Sequence, residues 1–260
     1  MTDRCELSVV VPTYNERERL VELVVAVSRI YSAHHIQGEL VVVDDNSPDG
    51  TGRLADSLRD RFPVQVVHRA GKLGLGSAVI EGFGVARGET LGVMDADLSH
   101  PPSVLPGLLA ALRALDVDIV IGSRYIRGGG VRDWPVLRRA MSRVACLLAR
   151  PLTPVRDATS GVFLVRREAV QGVQISAAGF KICLELLLRS RIAAVAEVPY
   201  TFADRAAGES KMTVHEALGY FRQLRDLYRL KIAVGRGARA RYCRVAPADL
   251  EALVAAAFPV

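Results

Sequence analysis

Apolar positions in the first half of the chain switch repeatedly between two periods. Residues 7–11 form an apolar run interrupted only by Ser8, close to the pattern of a strand buried on both faces of a parallel sheet. From Arg17 to about Ile30, the residues Leu20, Leu23, Val24, Val27 and Ile30 recur at helical spacing. Further strands are predicted at 39–43, 64–67, 90–94 and 118–121. Helices are predicted between them, from Thr51 to about Asp60, from Gly74 to about Ala86, and over 102–115. Such alternation predicts an α/β fold, a mostly parallel central sheet with helices on both faces.

Beyond residue 125 the rhythm changes. Gly128, Gly129 and Gly130 mark a loop, and 134–150 reads as an amphipathic helix. Leu137, Met141, Val144 and Leu148 line one side of it, and Arg139 and Arg143 form an i, i+4 pair. Pro151 and Pro154 break it. Strands are predicted at 160–165 and 194–202 with a helix over 180–190 between them, then a polar loop and a long helix over 214–234. On that helix Val214, Leu218, Phe221, Tyr228 and Ile232 share one face, and Arg222, Arg225 and Arg229 another. The predicted organisation is one domain over 1–234, with halves at about 1–125 and 126–234. An Arg- and Ala-rich tail over 235–260 carries a short helix near 247–258.

Composition narrows the classes. Half of the 260 residues are hydrophobic, which excludes a disordered chain. The net charge is +6, and only four of the 34 basic residues are lysines: Lys72, Lys181, Lys211 and Lys231. A basic surface of this kind suits phosphate groups or anionic lipid; no nucleic-acid partner is expected. Cys5, Cys146, Cys183 and Cys243 form no C-x-x-C pair, so neither a zinc site nor a disulfide framework is expected. No leader and no membrane-spanning run is read, which predicts a cytoplasmic protein.

The candidate chemistry sits where the strands end. Tyr14 and Glu16, Asp44 and Asp45, Asp95 and Asp97, and Arg124 each follow a different predicted strand. Ligands of parallel sheets bind beyond those carboxyl ends. In an extended backbone Asp95 and Asp97 project to one face, across the small Ala96. Two such carboxylates suit a hard divalent cation that also holds phosphate oxygens. The expectation is a nucleotide-binding cleft.

Six motifs occur in order: Val11-Pro12-Thr13-Tyr14-Asn15-Glu16, Asp44-Asp45-Asn46-Ser47-Pro48-Asp49-Gly50-Thr51, Gly74-Leu75-Gly76, Asp95-Ala96-Asp97, Gly122-Ser123-Arg124-Tyr125 and Gly208-Glu209-Ser210-Lys211. With them the chain resembles the inverting family 2 glycosyltransferases, and within these the polyprenyl-phosphate (dolichyl-phosphate) mannosyltransferases, over roughly residues 7–232. The resemblance implies a GT-A fold and transfer of mannose from GDP-mannose to a polyprenyl phosphate, with a divalent metal, Mg2+ or Mn2+, and a β-linked product. It implies that Pro12, Tyr14, Glu16, Asp44, Asp45, Lys72 and Ala96 hold the nucleotide sugar, and that Asp95 and Asp97 bind metal and diphosphate. Ser99 stands where some members carry a metal-binding glutamine and others a serine. Arg124, Arg138, Ser142 and Arg205 match positions that grip the acceptor phosphate, with Ser210 and Lys211 in the adjoining loop; Arg124 joins Asp95 and Asp97 as a catalytic candidate.

The chemistry fits those roles. A lipid phosphate is already an anion near neutral pH and attacks the sugar carbon without a general base. The site must supply positive charge to join two anionic phosphates and stabilisation of the leaving diphosphate. Arginine's planar fork matches phosphate oxygens. Asp157 with Ser160 and Gly161 reads as a loop-shaping element. Helices 134–150 and 214–234 are expected at the cytoplasmic face of a bilayer, arginines toward anionic lipid, or else beside a membrane-embedded partner protein. The nearest alternative is a UDP-hexose-dependent transferase on the same fold. A pyrophosphorylase would open with a glycine-rich loop after the first strand, and a dehydrogenase with G-x-G-x-x-G there; the chain has neither. A non-catalytic nucleotide-binding module would lack the metal motif or the basic cluster.

Overall fold

A computed structural model describes residues 5–173, 181–203, 214–234 and 240–259. The alternating half of the chain forms β1 (Leu7–Thr13), α1 (Arg17–Ala33), β2 (Gly38–Asp44), α2 (Thr51–Leu58), β3 (Val64–His68), α3 (Leu75–Val85), β4 (Thr90–Val93), α4 (Val104–Ala114) and β5 (Ile119–Ser123). The remainder forms β6 (Gly130–Val131), α5 (Val136–Ala149), β7 (Phe163–Arg166), α6 (Arg167–Val170), α7 (Ile182–Arg189), β8 (Ala194–Pro199), β9 (Thr201–Phe202), α8 (Val214–Val234), β10 (Arg241–Arg244) and α9 (Pro247–Ala257).

Among the described residues one sheet has the strand order β10-β8-β5-β7-β4-β1-β2-β3. Its strands are parallel except β7, which runs antiparallel to both β4 and β5. β6 and β9 form a small parallel ladder of their own. Strand parity divides the core. Leu7, Val9, Val11, Leu40 and Val42 pack with α1 and α4, while Val10, Val41 and Val43 pack with α3, α7 and α8. The helices thus cover both faces, as the apolar runs require.

On α8 the buried face is Tyr220, Gln223, Leu224 and Leu227, and Leu218, Phe221 and Ile232, on the apolar face read from the sequence, are exposed. Two features depart from the sequence-based expectations. The predicted strand over 194–202 breaks at Tyr200 into β8 and β9. The segment set apart as a tail is joined to the sheet in its described part. β10 adds an edge strand to β8, and Leu250 of α9 seats against Gly107 of α4, where a Cβ would lie 3.1 Å from it. The arginines of Arg241-Tyr242-Cys243-Arg244 hid that strand, yet charged residues are what an edge strand carries.

Candidate functional site

Beyond β1 and β2 two loops are laced together. The Asn15 amide donates to Ser47 Oγ (3.0 Å) and the Glu16 amide to Thr51 Oγ1 (3.0 Å). Asp44 shapes the second loop: its carboxylate accepts from Thr13 Oγ1 (3.1 Å), the Ser47 amide (3.0 Å) and Ser47 Oγ (2.5 Å). Asp45 is held by buried Arg69 at 2.5 Å, which also reaches Glu81 and Ser77. Both carboxylates therefore have internal partners. Tyr14 stays 40% exposed, and the Lys72 ammonium lies 4.6 Å from its ring centroid. Pro12 and Glu16 are half-buried beside it. The Gly74 backbone has φ 100°, open to glycine alone at the head of α3.

The carboxylate motif departs from the extended geometry expected of it. β4 ends at Val93, Ala96 and Asp97 lie in a turn, and Leu98 has φ 62°. Alternation along a strand thus does not orient Asp97; the turn does, with Asp97 Oδ1 accepting the Ser99 amide (3.0 Å). Asp95 Oδ2 lies 3.1 Å from His100 Nε2. The His100 ring is buried between Tyr200 and Phe202, with centroids 5.5 Å and 5.1 Å away. Gly161 approaches so closely that a Cβ there would lie 2.8 Å from both Asp95 Oδ2 and His100 Nε2. Ala96 is buried.

The donor set fits a hard divalent cation. Ser99 Oγ is buried without a hydrogen-bond partner next to Asp97, an orphan oxygen of the kind a ligand satisfies. Among the described residues no group of three His, Cys, Asp or Glu gathers around one point. Two carboxylates with substrate phosphates and water are nonetheless the usual Mg2+ arrangement.

The arginines converge on the only tryptophan of the chain. The Arg124 guanidinium lies 5.5 Å, and that of Arg138 4.2 Å, from the Trp134 centroid. Arg124 is buried and forked onto Asp157, with Nε to Oδ2 at 2.7 Å and Nη2 to Oδ1 at 2.6 Å; its amide also donates to Oδ2 at 2.9 Å. Burial works against the guanidinium's charge, but Asp157's charge and hydrogen bonds outweigh it and raise the Arg124 pKa. Ser142 Oγ accepts from Tyr125 Oη (2.7 Å). A pocket of about 440 Å³ opens beside this cluster, with Arg143, Arg150 and Arg156 joining Arg124 and Tyr125 in its wall. Cys146, also in that wall, is pushed up to about 12 by burial and by Asp157, so its thiol is no nucleophile at neutral pH. Arg205, Ser210 and Lys211 lie outside the described residues.

Lys181 is the charged neighbour that the motifs did not single out. Burial lowers its pKa, Arg124 lowers it further, and Asp95 and Asp157 oppose that. Its side chain thus feels both the carboxylate motif and the arginine cluster. In a chain with four lysines, its place at the head of α7 was the available signal.

Asp157 and Gly161 join the two halves of the site. Asp157 holds Arg124, while Gly161, four residues on, abuts Asp95. Extended chain of that length spans at most ~14 Å. Carboxylates and arginines therefore lie near one another at the sheet's carboxyl edge.

A mainly parallel sheet with one reversed strand and a carboxylate pair beyond β4 is the GT-A arrangement of nucleotide-sugar transferases. Solved structures agree on that fold: mannosyl-3-phosphoglycerate synthase from Rubrobacter xylanophilus has a TM-score of 0.66 at 20% identity, covering 90% of this chain and 77% of that one. Glucosyl-3-phosphoglycerate synthase from Mycobacterium tuberculosis, crystallised with Mn2+ and UDP, has 0.63 at 23%, covering 86% and 78%. The chain belongs to glycosyl transferase family 2, whose model matches residues 8–173. Within it the chain is 46% identical to dolichol-phosphate mannosyltransferase of Pyrococcus furiosus, over 86% of this chain and 63% of that one. The yeast Saccharomyces cerevisiae protein of the same name is 38% identical over 87% and 88%. Polyprenol monophosphomannose synthase of Mycolicibacterium smegmatis is 44% identical over 79% and 80%.

Proposed function

We propose that this glycosyltransferase moves mannose from GDP-mannose to the phosphate of a polyprenyl lipid, giving the β-linked lipid phosphosugar. The carrying observation is the Asp157–Gly161 segment, which holds Arg124 at one end and abuts Asp95 at the other, with Arg124 and Arg138 both against Trp134. The names of the similar proteins from P. furiosus, yeast and M. smegmatis support the sugar and the acceptor.

In this reading Tyr14, Lys72 and the loops built on Asp44 and Asp45 hold the nucleotide, with Pro12, Glu16 and Ala96 lining it. A phosphate oxygen of the acceptor attacks the anomeric carbon as the bond to the diphosphate breaks, which inverts the centre and releases GDP. Arg124, fixed by Asp157, and Arg138, stacked on Trp134, bring the acceptor anion against the donor's diphosphate. Ser142 adds a hydroxyl, and Arg205, Ser210 and Lys211 complete the acceptor set. Asp95, Asp97 and Ser99 would hold Mg2+ or Mn2+, which neutralises the leaving diphosphate when bound.

The lipid substrate calls for a membrane surface, and α5 offers one. Val136 and Leu137 are 81% and 72% exposed, and Leu147 and Val144 also face out. Beside α5, α8 exposes Phe221 and Ile232, tied on by Tyr220 Oη to the Ala145 carbonyl and Tyr228 Oη to the Leu148 carbonyl. Arg139, Arg143, Arg222, Arg225 and Arg229 border these apolar residues, as in helices lying flat on anionic bilayers. No described helix is long and apolar enough to cross a membrane. The protein in this reading docks peripherally on the cytoplasmic face, alone or with a membrane-embedded partner.

The test is a donor screen with farnesyl phosphate as acceptor, Mg2+ or Mn2+, and GDP-mannose beside UDP-glucose and UDP-N-acetylglucosamine. Transfer from GDP-mannose is expected. Transfer from a UDP-sugar alone would overturn the donor, and no transfer, with or without anionic vesicles, would overturn the reaction.

A further inference from the structure

Glu197 is fully buried in the middle of β8. Among the described residues no basic side chain lies within salt-bridge distance of it. Its carboxylate is spent on three hydrogen bonds: Oε2 accepts the Arg156 amide (2.8 Å) and Tyr242 Oη (2.5 Å), and Oε1 accepts the Asp157 amide (2.9 Å). A buried carboxylate is costly to keep, and an apolar side chain of similar volume often serves stability as well. What an apolar residue cannot do is bind two successive amides of an irregular loop. Those amides belong to the residue that forks onto Arg124 and to the residue before it.

We propose that Glu197 and Tyr242 are positioning residues for acceptor recognition, an inference that rests on the reading of Arg124 as an acceptor-phosphate ligand. Glu197 clamps the backbone at Arg156–Asp157, which sets the Asp157 carboxylate and through it both the amide and the fork of Arg124. Tyr242 closes the clamp from outside. It lies on β10, the edge strand next to β8, and the backbone reinforces the contact where the Val245 amide donates to the Glu197 carbonyl (2.9 Å). The C-terminal strand is therefore wired to the acceptor end of the cleft through two carboxylates in series. None of these contacts reaches the Tyr14–Lys72 or Asp44–Asp45 side, so donor binding stays outside the relay.

The experiment uses the full chain with Tyr242→Phe and Glu197→Gln, alone and combined with Arg124→Lys. Kinetics are read with farnesyl phosphate and GDP-mannose, together with Tm and the exchange rate of the Arg124 Nε–H by 15N NMR. Tyr242→Phe removes one hydrogen bond and should raise the acceptor KM about three- to tenfold, with the donor KM unchanged. Glu197→Gln, which leaves one loop amide facing an NH2 group, should act in the same direction and further. In the Arg124→Lys background Tyr242→Phe should add little, because its route runs through the fork. The Arg124 Nε–H should exchange faster in both single variants. An unchanged acceptor KM in Tyr242→Phe, an equal rise in both KM values, or full additivity with Arg124→Lys would each overturn the proposal. If the wild type transfers no mannose, the functional reading fails by itself; the exchange rate then still decides whether the relay holds Arg124, and an unchanged rate overturns it.

Discussion

Gly161 brings the backbone close to the carboxylate motif, and replacing it by alanine is a defined perturbation. The new Cβ would sit 2.8 Å from Asp95 Oδ2 and from His100 Nε2, so both contacts must lengthen by about 0.6 Å to reach ordinary van der Waals distance. His100 has little freedom, its side chain 2% exposed and wedged between two aromatic rings. Asp95 has room, its side chain 42% exposed. The carboxylate should therefore swing away from His100. Losing such outer support for a metal ligand weakens metal binding about ten- to hundredfold. Stability should fall by about 1–3 kcal/mol, the cost of forcing an extra methyl group against a ring that has little room to move. The assay is transfer against Mg2+ or Mn2+ concentration, with Tm in parallel. A Tm lower by about 2–12 °C and a metal requirement raised at least tenfold are expected. An unchanged metal requirement would refute the argument that Gly161 keeps Asp95 in register.

Three further outcomes follow from the same geometry. Asp97→Ala should leave Tm within about 2 °C, because this partly exposed carboxylate adds little to the core, while abolishing metal-dependent turnover; retained turnover would remove Asp97 from the site. Arg138→Ala should raise the acceptor KM at least tenfold with the donor KM within about twofold, the loss of one charged hydrogen-bonding group; equal loss of donor affinity would contradict its assignment. Burial favours the protonated form of Glu39, but bonds from Ser8, Arg87 and Gln65 outweigh it and hold its carboxyl below the ordinary 4.5. A folded pKa below the unfolded one gives stability that is present above about pH 4.5 and lost as pH falls through the folded value. Glu39→Gln should cost about 1–2 kcal/mol at neutral pH and flatten that acid limb in a Tm series; an acid limb as steep as wild type would sink the assignment.

Much of this molecule can be read from its sequence because two signals reinforce each other. Continuous apolar runs such as Val9-Val10-Val11 and Val41-Val42-Val43 need cover on both faces, and the helical stripes between them supply it. That fixes a parallel sheet, and a parallel sheet says where the polar residues after each strand must gather. Nothing comparable gives strand order. β7 looks like any short apolar strand, and its reversed insertion between β4 and β5 depends on pairings more than forty residues apart. The turn at Asp97 was hidden for a related reason: alternation extrapolates a strand past the point where Leu98, at φ 62°, shows that it has ended. Exposed apolar residues on α5 and α8 read as helix stripes, but periodicity alone does not say whether a stripe faces a core or a bilayer. Lys181 and Glu197 belong to no short motif, and only the fold brings them to the arginines.

The reversed strand also bears on how the chain is made. β4 and β5 flank β7, so neither has its inner neighbour until residues 163–166 have left the ribosome. A nascent chain of about 150 residues already contains the whole nucleotide half, yet β4 still presents a bare ladder of amides and carbonyls, and so does β5. Open edges of that kind are the surfaces on which unfinished chains pair with one another. Insertion of one short segment, Phe163–Arg166, seals both edges at once and in the same step delivers Gly161 to Asp95. Closing the gap between β4 and β5 and bringing Gly161 to Asp95 are therefore a single event in biosynthesis, with β8 and β10 joining the far side of β5 afterwards, and truncation just short of Phe163 should leave a chain that aggregates.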